Sequence, residues 1–136
     1  MVNIGGITVL DDSYNANPLS MEMAFRSAKQ IAGNHYFLVL GDMGELGRFE
    51  EKLHYETGVK AGKIGFDGLI TVGPLSRFLA KGAEQGGMKN VVTCDTCEEA
   101  AEKLMKMAAP GDVVLVKGSH YMHMERIPAV LRGEKA

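Results

Sequence analysis

The sequence has few cysteines, no tryptophan, little excess of either charge and no long apolar run. Two cysteines in 136 residues provide no disulfide framework, and a chain of this length buries about two-thirds of its unfolded surface without one. No run approaches the ~18 to 20 apolar residues of a membrane span, and the start lacks a basic segment followed by an apolar one. A net charge of -2 provides no electrostatic attraction for nucleic acid. These absences predict a cytoplasmic protein with no nucleic-acid partner and no membrane span.

Cys94 and Cys97 form a Cys-x-x-Cys pattern, which is typical of thioredoxin-like redox centres and of half a zinc site. A zinc site needs further ligands, and the close-spaced pair His120 and His123 lies on another segment. Asp95 or Thr96 is suited to cap a helix here, and the run 96–99 spells Thr-Cys-Glu-Glu, a capping box. We therefore favour a helix start flanked by small side chains, assign no metal ligand and keep a redox role as an alternative.

Short apolar runs alternate with helical patterns along the chain. One helical stripe recurs at i, i+3, i+4 and i+7 from Met21 and ends before Gly33. Such alternation predicts an α/β fold, a Rossmann-like three-layer domain with a mostly parallel sheet covered by helices on both faces. We expect one domain over residues 1–136. The predicted strands are Ile7 to Leu10, Tyr36 to Leu40, Gly68 to Val72, Val91 to Thr93 and Val113 to Lys117.

The predicted helix over residues 50–64 contains two glycines, Gly58 and Gly62. Each costs about 1 kcal/mol of helix stability relative to alanine. Because they are four residues apart, they lie on one face of the helix. We expect this face to let the helix approach the sheet closely.

Polar loops follow three of the predicted strands. The loop from Asp11 to Pro18 concentrates carboxylates, a hydroxyl, a phenol and amides, and the loop from Gly41 to Gly47 combines glycines with two carboxylates. Residues 117–120 supply a cation, a glycine, a hydroxyl and an imidazole. Parallel strands end at the same edge of a sheet, and open α/β sheets bind ligands there. The three loops are therefore expected to form one ligand-binding rim.

Simpler explanations apply to single residues of these loops. Asn17 or Ser20 is suited to cap a helix, and Lys117 to be a solvated strand end. The second loop lacks the lysine and hydroxyl of a P-loop, and its glycine spacing differs from the dinucleotide fingerprint. A nucleotide-binding module without catalysis and a pure interaction domain thus remain alternatives.

The three loops together carry a resemblance to a known family. The run 12–18 (Asp-Ser-Tyr-Asn-Ala-Asn-Pro), the run 40–47 (Leu-Gly-Asp-Met-Gly-Glu-Leu-Gly) and the run 116–119 (Val-Lys-Gly-Ser) resemble the C-terminal domain of the Mur ligases, in order from about Gly6 to Leu131. His54 with Gly58 and Met124 with Glu125 fit the same resemblance. Sister ligases usually place a histidine near Ala16 and carry a different second loop. The chain is most similar to the branch that adds D-alanyl-D-alanine; another Mur-family or folylpolyglutamate-type ligase is the alternative.

The resemblance implies a division of labour among three domains. Such ligases use ATP to phosphorylate the terminal carboxylate of UDP-N-acetylmuramoyl-tripeptide, and the amine of D-alanyl-D-alanine attacks the acyl phosphate. The N-terminal domain holds the UDP substrate, and the central domain binds most of the ATP and Mg²⁺. Both of these domains are absent from this chain, which has no P-loop. The chain alone is therefore expected to be inactive.

The resemblance also assigns residues, none of them catalytic. Many relatives have arginine where this chain has His120, a weaker carboxylate anchor. The resemblance implies that the bound nucleotide faces Asp12, Tyr14, Asn15 and Asn17. The dipeptide is assigned Asp42 and Glu45 for its ammonium, and Lys117, Gly118, Ser119 and His120 for its carboxylate.

Overall fold

The fold is a six-stranded sheet between two layers of helices, seen in a computed structural model that describes residues 1–12 and 15–133. The strand order is β1-β2-β6-β3-β4-β5. All neighbouring strands are parallel except β1 and β2, which form an antiparallel pair at one edge. The predicted α/β class with a mostly parallel sheet is confirmed. The strands are β1 (Val2–Ile4), β2 (Ile7–Asp12), β3 (Tyr36–Gly41), β4 (Gly68–Val72), β5 (Val91–Cys94) and β6 (Val113–Lys117).

The predicted strands match β2 to β6 within two residues at their ends, whereas β1 was missed. Only three residues long, it is too short to show an apolar period. The turn that joins it to β2 is Gly5-Gly6, and both glycines have positive φ, 59° and 89°. Gly-Gly between two short strands is a hairpin signal that the sequence did contain.

Helices cover both faces of the sheet. Buried residues of α1, α2 and α3 pack on one face, and those of α4 and α5 pack on the other. The helix α5 had not been predicted, because it is short and follows the last strand directly through a 3-10 turn at residues 120–122. The helices are α1 (Pro18–Lys29), α2 (Glu50–Ile64), α3 (Ser76–Gln85), α4 (Cys97–Met107) and α5 (Arg126–Leu131).

The central strand β3 has a continuous run of apolar residues. Phe37 and Val39 belong to the apolar cluster on the α4 and α5 face, whereas Leu38 and Leu40 belong to the cluster on the α1 to α3 face. Successive side chains of a strand point to opposite faces. Both faces are covered here, so both sets must be apolar.

Close packing between α2 and α3 explains the glycines of α2. A Cβ on Gly58 would lie 1.9 Å from the carbonyl oxygen of Leu79, and one on Gly82 would lie 2.0 Å from that of Tyr55. A Cβ on Gly62 would lie 2.6 Å from the carbonyl oxygen of Ala83. The expectation that these glycines face the sheet was wrong, because they let two neighbouring helices touch backbone to backbone.

Within the described residues, every helix is too short or too polar to cross a membrane.

Candidate functional site

The three polar loops meet at one edge of the sheet, as expected from its parallel strands. The reason is the strand order, which places β6 between β2 and β3. In register, Lys117 lies opposite Asp12 of β2 and opposite Leu40 of β3. The loop after β6 is therefore flanked by the other two loops.

Lys117 is a buried cation and not a solvated strand end. Its side chain is only 2% exposed, although it ends a strand. The Nζ atom donates hydrogen bonds to Asp12 Oδ2 at 2.9 Å and to the carbonyl oxygen of Asn15 at 2.8 Å. The lysine thereby connects the loop after β2 to β6, and the explanation of a solvated strand end was wrong.

Asn17 is the N-cap of α1. Its side-chain oxygen accepts from the backbone N–H of Ser20 at 2.9 Å, and its own N–H donates to Ser20 Oγ at 3.0 Å. This reciprocal capping box satisfies two N–H groups that the first turn of a helix leaves unpaired. The capping explanation is confirmed, so the Asn17 side-chain oxygen serves the helix. Tyr14, assigned to the nucleotide side, lies outside the described residues.

Asp42 caps α3 from the neighbouring strand end. Its carboxylate is 3% exposed and accepts from Ser76 N at 2.7 Å, from Ser76 Oγ at 2.8 Å and from Leu75 N at 3.3 Å. A Cβ on Gly73 would lie 2.6 Å from Asp42 Oδ1, so the carboxylate is enclosed on that side too. In this geometry the acid stabilises the start of a helix, where negative charge is favoured. Its assignment to the substrate ammonium stays a prediction.

Gly118 allows two chain segments to approach each other closely. A Cβ at this position would lie 2.7 Å from Met124 Cγ and 3.1 Å from Gly41 Cα. The glycine thus lets the end of β6 pack against the end of β3 and against the turn before α5. This contact gives Gly118 a structural role, and ligand binding by Gly118 stays a prediction.

Glu45 is held in an unusual backbone conformation on the second loop. It is exposed and has φ of 59°, which a residue other than glycine adopts at a cost of about 1 kcal/mol or more. Strained residues of this kind concentrate at functional sites.

A pocket of about 350 Å³ brings residues from all three loops together. Glu45 comes from the second loop, and Ser119 and His120 come from the third. Its size lies in the ~300 to 1,000 Å³ range of ligand pockets. Four of the residues predicted from the sequence are therefore neighbours in space. The lining residues are Asn15, Gly44, Glu45, Ser119, His120 and Tyr121.

Tyr121 is a wall of this pocket that sequence reasoning missed. Its ring lies against Gly44, where a Cβ would be 2.9 Å from Tyr121 Cε1. Burial raises the pKa of the Tyr121 phenol above its usual range, and the carboxylates of Asp42 and Glu50 add to the rise. An aromatic residue directly after the polar run 117–120 was the signal available in the sequence.

A second pocket of about 430 Å³ lies on the α1 side of the rim. Its polar lining comes from Asp12, Ser20, Ser27 and Lys117, and Asn15 lines both pockets. The predicted group of residues 117–120 is therefore divided, because Lys117 faces this pocket while Ser119 and His120 face the other. The apolar wall of the second pocket consists mainly of Leu10, Met23, Ala24 and Leu115.

A larger cavity, about 650 Å³, lies at the opposite edge of the sheet, near the starts of β3, β4 and β5. His35, Asp67 and Lys89 contribute to its wall, but no residue of the three polar loops does. Volume alone is a poor guide to the site here. The convergence of polar groups at the other edge decides the choice.

The cysteines are unsuited to redox chemistry in this environment. Both are buried, and burial is the main cause of the raised pKa of each thiol, which for Cys97 reaches about 11. Redox-active cysteines need the opposite shift, because the thiolate is the reactive form.

Thr96 Oγ1 accepts from Glu99 N at 3.1 Å and caps α4, as the sequence predicted. Among residues 1–12 and 15–133, no three His, Cys, Asp or Glu side chains are grouped to hold a metal ion.

Curated relatives match nearly the whole chain. A ligase of Bacillus subtilis whose name is UDP-N-acetylmuramoyl-tripeptide--D-alanyl-D-alanine ligase is 36% identical over 124 residues, which are 90% of this chain and 27% of the relative. The protein of the same name from Escherichia coli is 33% identical over 91% of this chain and 26% of its own length. The chain thus spans only about a quarter of the length of these relatives.

Solved structures agree with this match. The MurF ligase of Thermotoga maritima in complex with ADP superposes with a TM-score of 0.83 at 26% identity, covering 98% of this chain and 30% of the other. MurF from Acinetobacter baumannii gives a TM-score of 0.86 at 29% identity with the same coverage. The family described as "Mur ligase, glutamate ligase domain" matches residues 1–120, so the chain belongs to the Mur ligase family through this domain.

Proposed function

We propose that this chain is the C-terminal domain of a cytoplasmic ATP-dependent ligase that adds D-alanyl-D-alanine to UDP-N-acetylmuramoyl-tripeptide during peptidoglycan synthesis. The names of the curated relatives support the substrates, and the solved relative with ADP supports the nucleotide. The N-terminal and central domains of the same enzyme are the partners that this domain requires.

The pocket of about 350 Å³ is the observation that carries the proposal. D-alanyl-D-alanine has an ammonium at one end and a carboxylate at the other. Glu45 offers a negative group for the ammonium, whereas Ser119 and His120 offer donors for the carboxylate. A carboxylate and hydrogen-bond donors in one pocket favour one direction of binding for a small zwitterion.

Ser119 is well prepared to donate to a carboxylate. Its Oγ accepts a hydrogen bond from Gly44 N at 2.6 Å, so a lone pair of the hydroxyl is already occupied. Within the described residues, the hydroxyl forms no further hydrogen bond. A hydroxyl has one proton to donate. That proton is available to a ligand oxygen in the pocket that Ser119 lines.

The second pocket, between α1 and Lys117, is the proposed nucleotide side of the domain. Asn15 and Asp12 lie at its rim and suit hydroxyl groups of a ribose. We assign no phosphate of ATP to this pocket, because Lys117, the lysine that lines it, is already paired with the acidic Asp12. We therefore assign the phosphates and Mg²⁺ to the central domain.

The task of this domain is to position the amine. When the amine nitrogen of D-alanyl-D-alanine attacks the acyl phosphate carbon, a C–N bond forms, the C–O bond to phosphate breaks and the amine loses a proton. A preformed acyl phosphate needs an oriented nucleophile more than a strong base. Anchoring both ends of the dipeptide provides this orientation, and closure of the domains excludes water.

A chimeric ligase tests the proposal. This chain replaces the matching segment of the Bacillus subtilis relative, and phosphate release is measured with D-alanyl-D-alanine and with its C-terminal amide. The N-acetyl derivative, which has no nucleophilic amine, is tested as an inhibitor of the dipeptide reaction. In Glu45→Gln, we expect the dipeptide KM to rise about tenfold or more, since a hydrogen bond to a charged group is worth roughly 1.5 to 3 kcal/mol. Ser119→Ala should raise it by about fivefold, because the hydroxyl supplies one donor.

Glu51→Gln, an exposed acid on α2 that lines neither pocket, is the matched control and should leave KM unchanged. The inhibition constant of the N-acetyl derivative should rise less in Glu45→Gln than the KM of the free dipeptide does, because the derivative has no ammonium. An unchanged KM in both pocket variants, or a preference of the chimera for single D-amino acids, would reject the proposal. ATP hydrolysis by the chain alone would also count against it.

A further inference from the structure

His54 is a buried imidazole directly beneath the second loop. It lies in α2 and is fully buried. Its Nδ1 is 2.6 Å from the carbonyl oxygen of Glu50, and its Nε2 is 2.9 Å from the backbone nitrogen of Met43. A backbone N–H can only donate, so Nε2 must be unprotonated. The proton therefore lies on Nδ1, where it is donated to Glu50, and the ring is neutral.

A chain of hydrogen bonds continues from this imidazole to the pocket. Met43 donates to His54, and the next residue, Gly44, donates to Ser119 Oγ at 2.6 Å. Ser119 N in turn donates to the carbonyl oxygen of Asp42 at 3.0 Å. Two hydrogen bonds thus connect the loop after β3 to the loop after β6, and His54 fixes the backbone of the loop after β3.

We infer that His54 is a positioning residue for dipeptide binding: it holds the Asp42–Met43 peptide so that the adjoining Gly44 N–H orients the Ser119 hydroxyl into the pocket. The inference rests on the proposed function for the identity of the ligand. The hydrogen bonds themselves are independent of it. His54 does not line the pocket and acts only through the loop.

Thr57 provides a matched comparison one turn further along α2. It is also buried, but its hydroxyl donates to the carbonyl oxygen of Leu53 at 2.7 Å within the same helix. Replacing Thr57 therefore removes a buried polar group from α2 without touching the second loop. A residue that only stabilises the helix should behave as Thr57 does.

The first measurement needs no variant. Long-range proton–nitrogen correlation spectra of the ¹⁵N-labelled chain at neutral pH should show His54 as the neutral tautomer with its proton on Nδ1. A proton on Nε2, or an imidazolium, would overturn the inference, because Met43 N–H would then have no acceptor.

The second measurement compares amide hydrogen exchange in three variants. His54→Leu should speed exchange at Met43 and Gly44 by about tenfold relative to the central strands, as expected when a buried donor loses its acceptor. His54→Gln should restore protection in part, since a glutamine oxygen can accept from Met43. Thr57→Val should leave the exchange rates of Met43 and Gly44 unchanged relative to those of the central strands. Equal acceleration at these amides in Thr57→Val and His54→Leu would overturn the inference.

The third measurement adds D-alanyl-D-alanine to the same labelled proteins. We expect the Kd, followed by the amide shifts of Gly44 and Ser119, to rise about fivefold to tenfold in His54→Leu and not in Thr57→Val. A wild-type chain with no shifts at these residues would count against the proposed ligand. The tautomer and the exchange rates would then still decide whether His54 positions the loop.

Discussion

Lys117 Nζ donates to Asp12 Oδ2 at 2.9 Å from a side chain that is 2% exposed, whereas the Asp12 side chain is 51% exposed. The two residues are register partners at the ends of β6 and β2. The lysine is thus enclosed by its own sheet and by α1, while the acid faces the solvent. Replacing Lys117 should therefore destabilise the loop that carries Asn15 more than it changes the surroundings of Asp12.

Lys117→Met should lower the free energy of unfolding by about 1 to 3 kcal/mol, because the Asn15 carbonyl loses a donor in a partly buried place. Urea denaturation measures the change. Lys60→Met is the matched control, since Lys60 also pairs with an acid at 2.9 Å but is 56% exposed, and surface pairs contribute only about 0 to 1 kcal/mol. Equal losses in the two variants would contradict the assignment of Lys117 as a buried bridge.

Asp42→Ala should be more destabilising than an ordinary cap substitution. Loss of a cap costs about 0.5 to 2 kcal/mol, and here the Ser76 hydroxyl is also left buried without its acceptor. Adding Ser76→Ala to the Asp42→Ala variant should then lower the free energy of unfolding only a little further, because the two side chains act as one unit. Urea denaturation of both single variants and of the double variant gives the coupling; additive losses would show that the carboxylate does not stabilise α3 through Ser76.

Gly58→Ala and Gly82→Ala should each destabilise the domain, although alanine favours a helix by about 1 kcal/mol over glycine. The added methyl would lie within about 2 Å of a carbonyl oxygen of the facing helix, as the distances at Gly58 and Gly82 require. Overpacking of this kind costs about 1 to 3 kcal/mol or more. Thermal unfolding checks the sign, and Gly87→Ala, which meets no atom within 4 Å but has φ of 108°, controls for backbone strain alone. A stabilised Gly58→Ala would show that α2 and α3 are further apart.

Glu45→Gly and Glu45→Ala separate backbone strain from charge. Both remove the carboxylate, so both should weaken dipeptide binding equally. The φ of 59° costs alanine, but not glycine, about 1 kcal/mol. Glu45→Gly should therefore be the more stable of the two by somewhat less than that amount in urea denaturation, since glycine also gives the unfolded chain more freedom. A more stable alanine variant would mean that the loop is not held in this conformation.

Cys97 should react slowly with thiol reagents. With a pKa of about 11, only about one thiol in a thousand is ionised at pH 8. Labelling by a disulfide reagent, followed from pH 7 to pH 10 in Cys94→Ala, should accelerate steadily without a plateau. A plateau near neutral pH would revive the redox alternative.

The same thiol contributes to the pH dependence of stability. A pKa raised in the folded state means that folding favours the protonated thiol, so the contribution is complete below the unfolded pKa near 9 and is lost as the pH rises toward 11. The difference in unfolding free energy between the wild type and Cys97→Ala should therefore shrink between pH 9 and pH 11. Parallel pH curves for the two proteins would show that the thiol is not buried.

Local patterns in the sequence were enough to predict most elements. The helix over residues 50–64 and the strand Gly68–Val72 agree with the structure at both ends. Thr96 caps α4 as its spacing predicts. These features depend on neighbours within about four residues, so the sequence states them directly. The rim of three loops was also predictable, because parallel strands end at a common edge.

The sequence by itself determined the fold class, the family and the loops that carry the polar groups. Only the tertiary structure decided what each polar group contacts. It buried Lys117 against Asp12, aimed Asp42 at Ser76 and placed Tyr121 beside Gly44. It also turned the α2 glycines toward α3. The physical reason is that these contacts join residues far apart in the chain, and their partners are set by the strand order and by helix packing, which no local pattern records.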